Sequence, residues 1–259
     1  MDGRLAPASE PRAPGSASTD PLACYTTARW TGAGVRFEAR HLARLARDAA
    51  ALGLGAVDAA LARRALHELG HAVFGAGEGV VRLEARRSSD GGVSLAATTR
   101  SLGADPGVWR AITAPLVHEG GPAPHGAKLA LRPLYTRAAE QAAGGGADEA
   151  LLLDAQGRLV EGARSNLVAV GVDGVAAVPP AERGAVAGVA LEACLVLAPP
   201  GTLVRRDVPR EDLPRLRELV ALNAVRGAVP IVALDGHPVG DGAPGPLASR
   251  LAAILDAHA

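Results

Sequence analysis

Lys128 is the only lysine in the chain; every other member of its 27 basic side chains is arginine. A GC-rich coding bias explains a drift from Lys to Arg wherever either cation serves. It does not explain one position that kept an amine. A primary amine can lose its proton, attack a carbonyl and form a Schiff base, and a guanidinium cannot. The competing explanation is a surface lysine that survived by chance.

The loudest short motif is His67-Glu68-Leu69-Gly70-His71. On a helix its two histidines fall on one face at i and i+4, able to share a zinc ion with Glu68 as general base. A zinc hydrolase is therefore one reading. It lacks a clear third ligand: the extended zinc-protease spacing asks for Gly at 74 and His at 77, where the chain has Phe74 and Gly77. Glu78 and Glu84 remain available, with Glu84 in an expected strand. Gly70 can also stop the helix and break the geometry. The plainer reading is a solvated helix end with two histidines near its C-terminal dipole.

A second constellation is spread along the chain. Glu161 closes a hairpin strand in VEGARSNLVAV, and Arg44 stands in HLARL on an early helix. A lysine, a carboxylate and an arginine are what a pyridoxal phosphate site needs: an amine for the aldehyde, an acid for the pyridinium nitrogen, a cation for the phosphate. Taken singly, Glu161 and Arg44 are more simply charged residues facing water.

The composition narrows the classes. The 259 residues carry 27 acidic and 27 basic side chains, a net charge of zero. A general nucleic-acid or anionic-membrane binder would need a basic excess. Aromatic residues are 2% of the chain, too few for base-stacking platforms, and the core must be built from Ala, Val and Leu. Cys24 and Cys194 form no disulfide framework or zinc ribbon. No apolar stretch approaches a membrane span. Residues 1–20 are polar, with no apolar signal core, so a cytoplasmic protein with a loose N-terminal segment is expected.

Periodicity supplies the elements. Residues 24–29 read as a strand turning back through 30–36, and residues 41–52 and 57–69 as helices. Strands follow at 79–86 and 92–98. Residues 103–127 are rich in Gly and Pro, and 118–126 is the best linker. Beyond it come a helix at 134–143, hairpins at 149–161 and 166–178, and a helix at 186–197. A strand at 202–206, a helix at 210–216, strands at 219–223 and 230–234, and a helix at 246–257 complete the chain. Hairpins and helices in both halves predict two α+β lobes rather than a doubly wound sheet. The expected division is a loose segment 1–23, a smaller lobe 24–117, a linker 118–127 and a larger lobe 128–259.

At GADEALLLDAQGRLVEGARSNLVAV (146–170) the chain resembles the fold type IV pyridoxal-phosphate enzymes, with their pattern D-x-x-G-x-x-x-E-x-x-x-x-N. That family includes branched-chain and D-amino acid aminotransferases and 4-amino-4-deoxychorismate lyases. GAKLALRPLYTRAAEQA (126–142) sits where the family places its Schiff-base lysine, and HLARL (41–45) is similar to its phosphate-arginine helix. VALNAVRGAVPIVALDGHPVG (220–240) resembles its final sheet, and CYTTAR (24–29) is most similar to the lyase branch.

The resemblance implies that Lys128 holds the cofactor and shuttles protons, that Glu161 pairs with the pyridinium nitrogen, and that Arg44 binds the phosphate. It implies phosphate contacts from the amides of Val189 and Ala190 at a helix N-terminus and from Asn223 and Ala224, with Tyr25 and Thr27 lining the substrate side. The expected fold is the two-lobe α+β fold type IV, with the cofactor in the cleft between lobes, in a homodimer. The expected activity is aminodeoxychorismate lyase, releasing pyruvate to give 4-aminobenzoate; a class IV aminotransferase acting on branched-chain or D-amino acids is the alternative. The chain departs from the family at three hydroxyl- or charge-bearing positions, occupied here by Ala190, Leu191 and Ala224. Pro133 replaces the tyrosine that aminotransferases carry five residues after the lysine.

Overall fold

The computed structural model describes residues 22–120 and 126–258. The chain forms two compact units, and the expected segment 1–23 lies, except for Leu22 and Ala23, outside the described residues.

The first unit runs to Gly103 and takes back residues Ala127–Leu131. Its sheet has the order β2-β1-β3-β4, from β1 (Cys24–Thr31), β2 (Gly34–Val35), β3 (Glu78–Arg87) and β4 (Val93–Arg100), all antiparallel. Strand β1 alternates strictly: Cys24, Thr26, Ala28 and Trp30 are buried, while Tyr25, Thr27 and Arg29 are half-buried on the other face. Helices α1 (Glu38–Ala51) and α2 (Ala59–Phe74) pack Leu42, Leu45 and Leu66 onto the buried face with Val81 and Leu83. Each leucine so enclosed contributes about 1.5–3 kcal/mol.

Helix α2 starts where Asp58 accepts the amides of Ala60 and Leu61 at 2.9 and 3.0 Å. It does not stop at Gly70 but continues to Phe74. The reason is Trp30, whose ring fills the space beside Gly70: a Cβ there would lie 2.3 Å from a ring carbon. The glycine is a packing requirement, not a terminator.

The second unit holds Ala104–Gly126 and Arg132–Ala259. Its nine-stranded sheet has the order β10-β9-β8-β11-β12-β5-β6-β7, with β13 beside β12. The strands are β5 (Trp109–His118), β6 (Glu149–Asp154), β7 (Leu159–Gly162), β8 (Asn166–Val170), β9 (Ala176–Val178), β10 (Val204–Arg205), β11 (Glu218–Asn223), β12 (Gly227–Leu234) and β13 (His237–Pro238). Leu151, Leu153, Leu159, Leu167, Leu219 and Ile231 fill one core. On the opposite face of β6, Ala150 and Leu152 meet Ala138 and Ala142 of helix α3 (Pro133–Gly144). Strand β6 is buried at all six positions, which is why it reads as a nearly continuous apolar run. Helices α4 (Val189–Leu197) and α5 (Pro246–Asp256) pack on each other and on β11 and β12.

Several features differ from the sequence reading, among them the place of Lys128, expected in the larger lobe but found in the first unit. Residues 104–117 do not extend the first unit; they belong to the second, where β5 runs parallel to both β12 and β6. Residues 210–215 form a 3-10 segment rather than an α-helix, with Pro214 inside it. No helix among the described residues is long and apolar enough to cross a membrane.

Candidate active site

Lys128 lies in the five-residue segment that returns to the first unit alongside β1. The Tyr25 amide donates to the Lys128 carbonyl at 3.0 Å, and the Ala130 amide donates to Ala23 at 2.7 Å. The Lys128 amine stands over the Tyr25 ring, Nζ 4.9 Å from its centroid. The Arg82 guanidinium stacks on the same ring at 3.7 Å and donates to Glu84 at 2.8 Å. Thr27 follows Tyr25 on that face of β1. The structure thus brings Lys128, Tyr25 and Thr27 to one side of the strand.

Arg44 is not on a solvated helix face. With His41 and Asp48 it forms a buried polar stripe on α1, at 5%, 0% and 1% exposure. The spacing i, i+3, i+7 is what places three side chains on one helical face. Arg44 donates from Nη2 to the Thr26 hydroxyl at 2.7 Å, and that hydroxyl lies 2.6 Å from His41 Nδ1. Burial first, then the charges of Arg44 and Lys128, hold the His41 pKa well below its usual value, so the ring is neutral. Thr26 then donates to Nδ1, leaving the proton on Nε2, which is buried and has no hydrogen-bond partner.

In the second unit the motif around 154–166 divides into turn and site. Asp154 accepts the amides of Gln156 and Arg158, both at 2.9 Å, and Gly157 takes φ 74°, closing the β6–β7 hairpin. Glu161 and Asn166 then face one place. Glu161 is 2% exposed and accepts from the Tyr135 hydroxyl at 2.5 Å, the Val186 amide at 3.1 Å and Asn166 Nδ2 at 3.4 Å, with the Arg132 guanidinium 3.8 Å away. Asn166 also donates to the Val186 carbonyl at 2.8 Å. Arg132 stacks over the Tyr135 ring at 3.4 Å. The Tyr135 oxygen lies 2.9 Å from His118 Nε2. Burial and the Glu161 charge raise the tyrosine pKa, so the hydroxyl stays protonated and donates.

The Val186 contact links Glu161 to the start of α4. That helix begins at Val189 after Gly188, and no side chain caps it. A Cβ at Gly188 would stand 1.9 Å from the Asn166 side-chain oxygen, so the glycine lets the chain pass close to the motif. The first amides of α4, including Val189 and Ala190, have no intrahelical acceptors and suit an anion. Leu222 of β11 pairs with Asn166, so Asn223 and Ala224 follow at the same end of the sheet. The Asn223 carboxamide is engaged locally, accepting the amides of Val225 and Arg226 at 3.1 and 2.8 Å.

Each unit holds part of the donor set that a phosphorylated pyridine aldehyde needs. The first offers the Lys128 amine and the buried Arg44, with a buried, unpartnered imidazole nitrogen on His41; the second offers the buried Glu161 carboxylate and the uncapped start of α4. The HExxH motif serves packing instead. His67 and His71 meet the Trp30 ring edge-to-face at 5.7 and 4.7 Å, and His67 pairs with Glu38. Glu68 is exposed, Glu78 pairs with Arg29 and Glu84 with Arg82. Among the described residues no group of three His, Cys, Asp or Glu side chains could hold a metal ion.

Asp48, His118, Arg132 and Tyr135 belong to these networks and were not singled out in the sequence. Asp48, one turn after Arg44, carried the only positional signal.

Residues 23–234 match the model of the family described as amino-transferase class IV. No curated protein matches the chain by sequence. Several solved structures share the fold. A hypothetical aminotransferase from Mycobacterium tuberculosis in its PLP-bound form superposes with a TM-score of 0.80 at 22% identity, covering 98% of this chain and 95% of that one. The branched-chain aminotransferase of Thermoproteus uzoniensis with norvaline gives 0.77 at 24%, covering 93% and 89%. A fold IV transaminase from Curtobacterium pusillum gives 0.74 at 26%, covering 90% and 83%.

Proposed function

Because this chain belongs to the class IV aminotransferase family, we propose that it is a pyridoxal-phosphate-dependent enzyme that transforms a small primary amine, with Lys128 as its catalytic base. When bound, the cofactor supplies an aldehyde for primary amines and a ring that accepts electrons. The observation that carries the reading is the lone lysine beside the Tyr25 ring, on a segment hydrogen-bonded to α1 and β1.

In this reading Lys128 Nζ would hold the cofactor's aldehyde and would move the proton of the substrate α-carbon. Glu161 would pair with the ring nitrogen and keep it protonated. Tyr135, Asn166 and the Val186 amide fix the orientation of that carboxylate. Arg44 in the first unit, and the first amides of α4 in the second, would each serve as a phosphate ligand. Tyr25 and Thr27 border the amine on the substrate side.

The finer proposal is a lyase resembling aminodeoxychorismate lyase, which expels pyruvate and leaves 4-aminobenzoate. The similarity of CYTTAR to that branch supports it, as does Pro133 in the place of the aminotransferase tyrosine. The second reading is an aminotransferase for branched-chain or D-amino acids, favoured by the structures the chain resembles. Product analysis separates them. The purified protein is given 4-amino-4-deoxychorismate and, in parallel, L-leucine or D-alanine with 2-oxoglutarate. Pyruvate with 4-aminobenzoate supports the lyase; keto acid with glutamate supports the transferase and removes the lyase. A self-associating homodimer is a further part of this proposal.

A further inference from the structure

We propose that Asp48 is a positioning residue that sets where the Lys128 amine originates relative to Arg44. The inference rests on reading Lys128 and Arg44 as the partners of the cofactor's aldehyde and phosphate. Asp48 lies on the buried stripe of α1, four residues after Arg44, and is 1% exposed. Its Oδ2 accepts the Lys128 main-chain amide at 3.0 Å. Its Oδ1 accepts Nε and Nη2 of Arg47 at 3.2 and 2.9 Å. An ion pair with Arg47, itself 43% exposed, could form at the surface without burying the carboxylate. Burial is costly for an unpartnered carboxylate, so the amide contact is what the position requires.

The geometric consequence follows from the ligand. The aldehyde and the phosphate arm leave adjacent ring carbons, so their separation is fixed. Two protein groups gripping both ends must match that span, or one grip is lost. Arg44 and the Asp48 anchor are one turn apart on a single helix, about 6 Å along its axis. Thr26 holds the first and the Lys128 amide meets the second. The helix therefore works as a rigid spacer, and the benefit appears only for a ligand that carries both groups.

The test measures binding to the apoprotein of wild type, Asp48→Asn, Asp48→Ala and Asp48→Glu. Three probes are used: pyridoxal phosphate, pyridoxal and inorganic phosphate. Asp48→Asn keeps an acceptor oxygen in place and should bind all three within about threefold of wild type. Asp48→Ala and Asp48→Glu should lose at least about tenfold for pyridoxal phosphate, because the two grips then no longer match the ligand's fixed span. Pyridoxal lacks the group that Arg44 holds and phosphate lacks the group that Lys128 holds, so neither spans the Arg44–Lys128 pair and both should stay within about threefold. Asp48→Glu retains the charge and so separates position from electrostatics if Asp48→Ala fails to fold. Wild-type affinity for pyridoxal phosphate in Asp48→Glu overturns the proposal, as does equal weakening of all three probes. A wild-type protein that binds no pyridoxal phosphate refutes the cofactor reading itself, and this inference with it.

Discussion

Lys128→Arg keeps a cation at position 128 and removes the chain's only side-chain primary amine. Turnover should fall by at least ~10³-fold, in the range of lost proton transfer and nucleophilic capacity. The visible absorbance of the bound cofactor should vanish with it, and Lys128→Ala should behave alike. Ordinary activity in the arginine variant sinks the mechanism. Glu161→Gln is gentler, since the amide fills the same buried space. Cofactor should stay bound while kcat drops by about a hundredfold, on the order of 3 kcal/mol for one contact to developing charge. Single-turnover decay of the cofactor absorbance measures it, and KM should change little. A wild-type rate would make Glu161 a structural residue. The lysine was legible in the sequence because it is unique, and Glu161 because its spacing from Asp154 and Asn166 forms a motif. Tyr135 and Asp48 were not, because nothing in one sequence distinguishes a buried tyrosine or aspartate on an amphipathic helix from a solvated one.

Elements decide two further outcomes. Gly188→Ala places a methyl against the Asn166 oxygen just before α4, so either the helix start or the carboxamide must move. Cofactor affinity should fall by about tenfold or more, with the melting temperature little changed, as titration of the apoprotein and thermal unfolding would register. An unchanged affinity would remove the α4 amides from the phosphate site. His67→Ala and His71→Ala should leave kcat/KM within about twofold, since both rings serve Trp30 rather than the Lys128 face of the sheet. A large loss in either variant would reopen a catalytic role for α2. Helices and hairpins were readable from period and turn residues, but β5 was not. Its run WRAITAPLVH contains Pro115, which ordinarily argues against an interior strand. The structure accommodates it at an irregularity, where the register with β6 shifts between Thr113 and Val117. The helix expected at 186 begins at Val189 instead, because the Val186 amide serves Glu161.

The whole molecule should lose stability in acid for an identifiable reason. His41 is neutral when folded, with its pKa held well below 6.5 mainly by burial, whereas the unfolded chain protonates it near 6.5. Its contribution is therefore complete above about pH 6.5 and is lost as pH falls towards the depressed folded value. The slope it adds is about 1.4 kcal/mol per pH unit. Urea unfolding of wild type and His41→Asn between pH 7 and 5 should show a shallower acid limb in the variant; parallel limbs would contradict this. Sedimentation should give a dimer, and a fully active monomer would overturn that part of the proposal. The two-lobe α+β class was legible from the mixed order of hairpins and helices, but the division at Gly103 was not, because β5 was hidden. That division also governs how the protein can be cut. The chain leaves the first unit at Gly103, returns for Ala127–Leu131 and leaves again. A fragment ending at Gly103 would lack the amide that Asp48 accepts and the backbone that pairs with Tyr25 and Ala23. No single cleavage therefore separates the units intact, and a free-standing first unit requires residues 127–131 to be grafted back onto it.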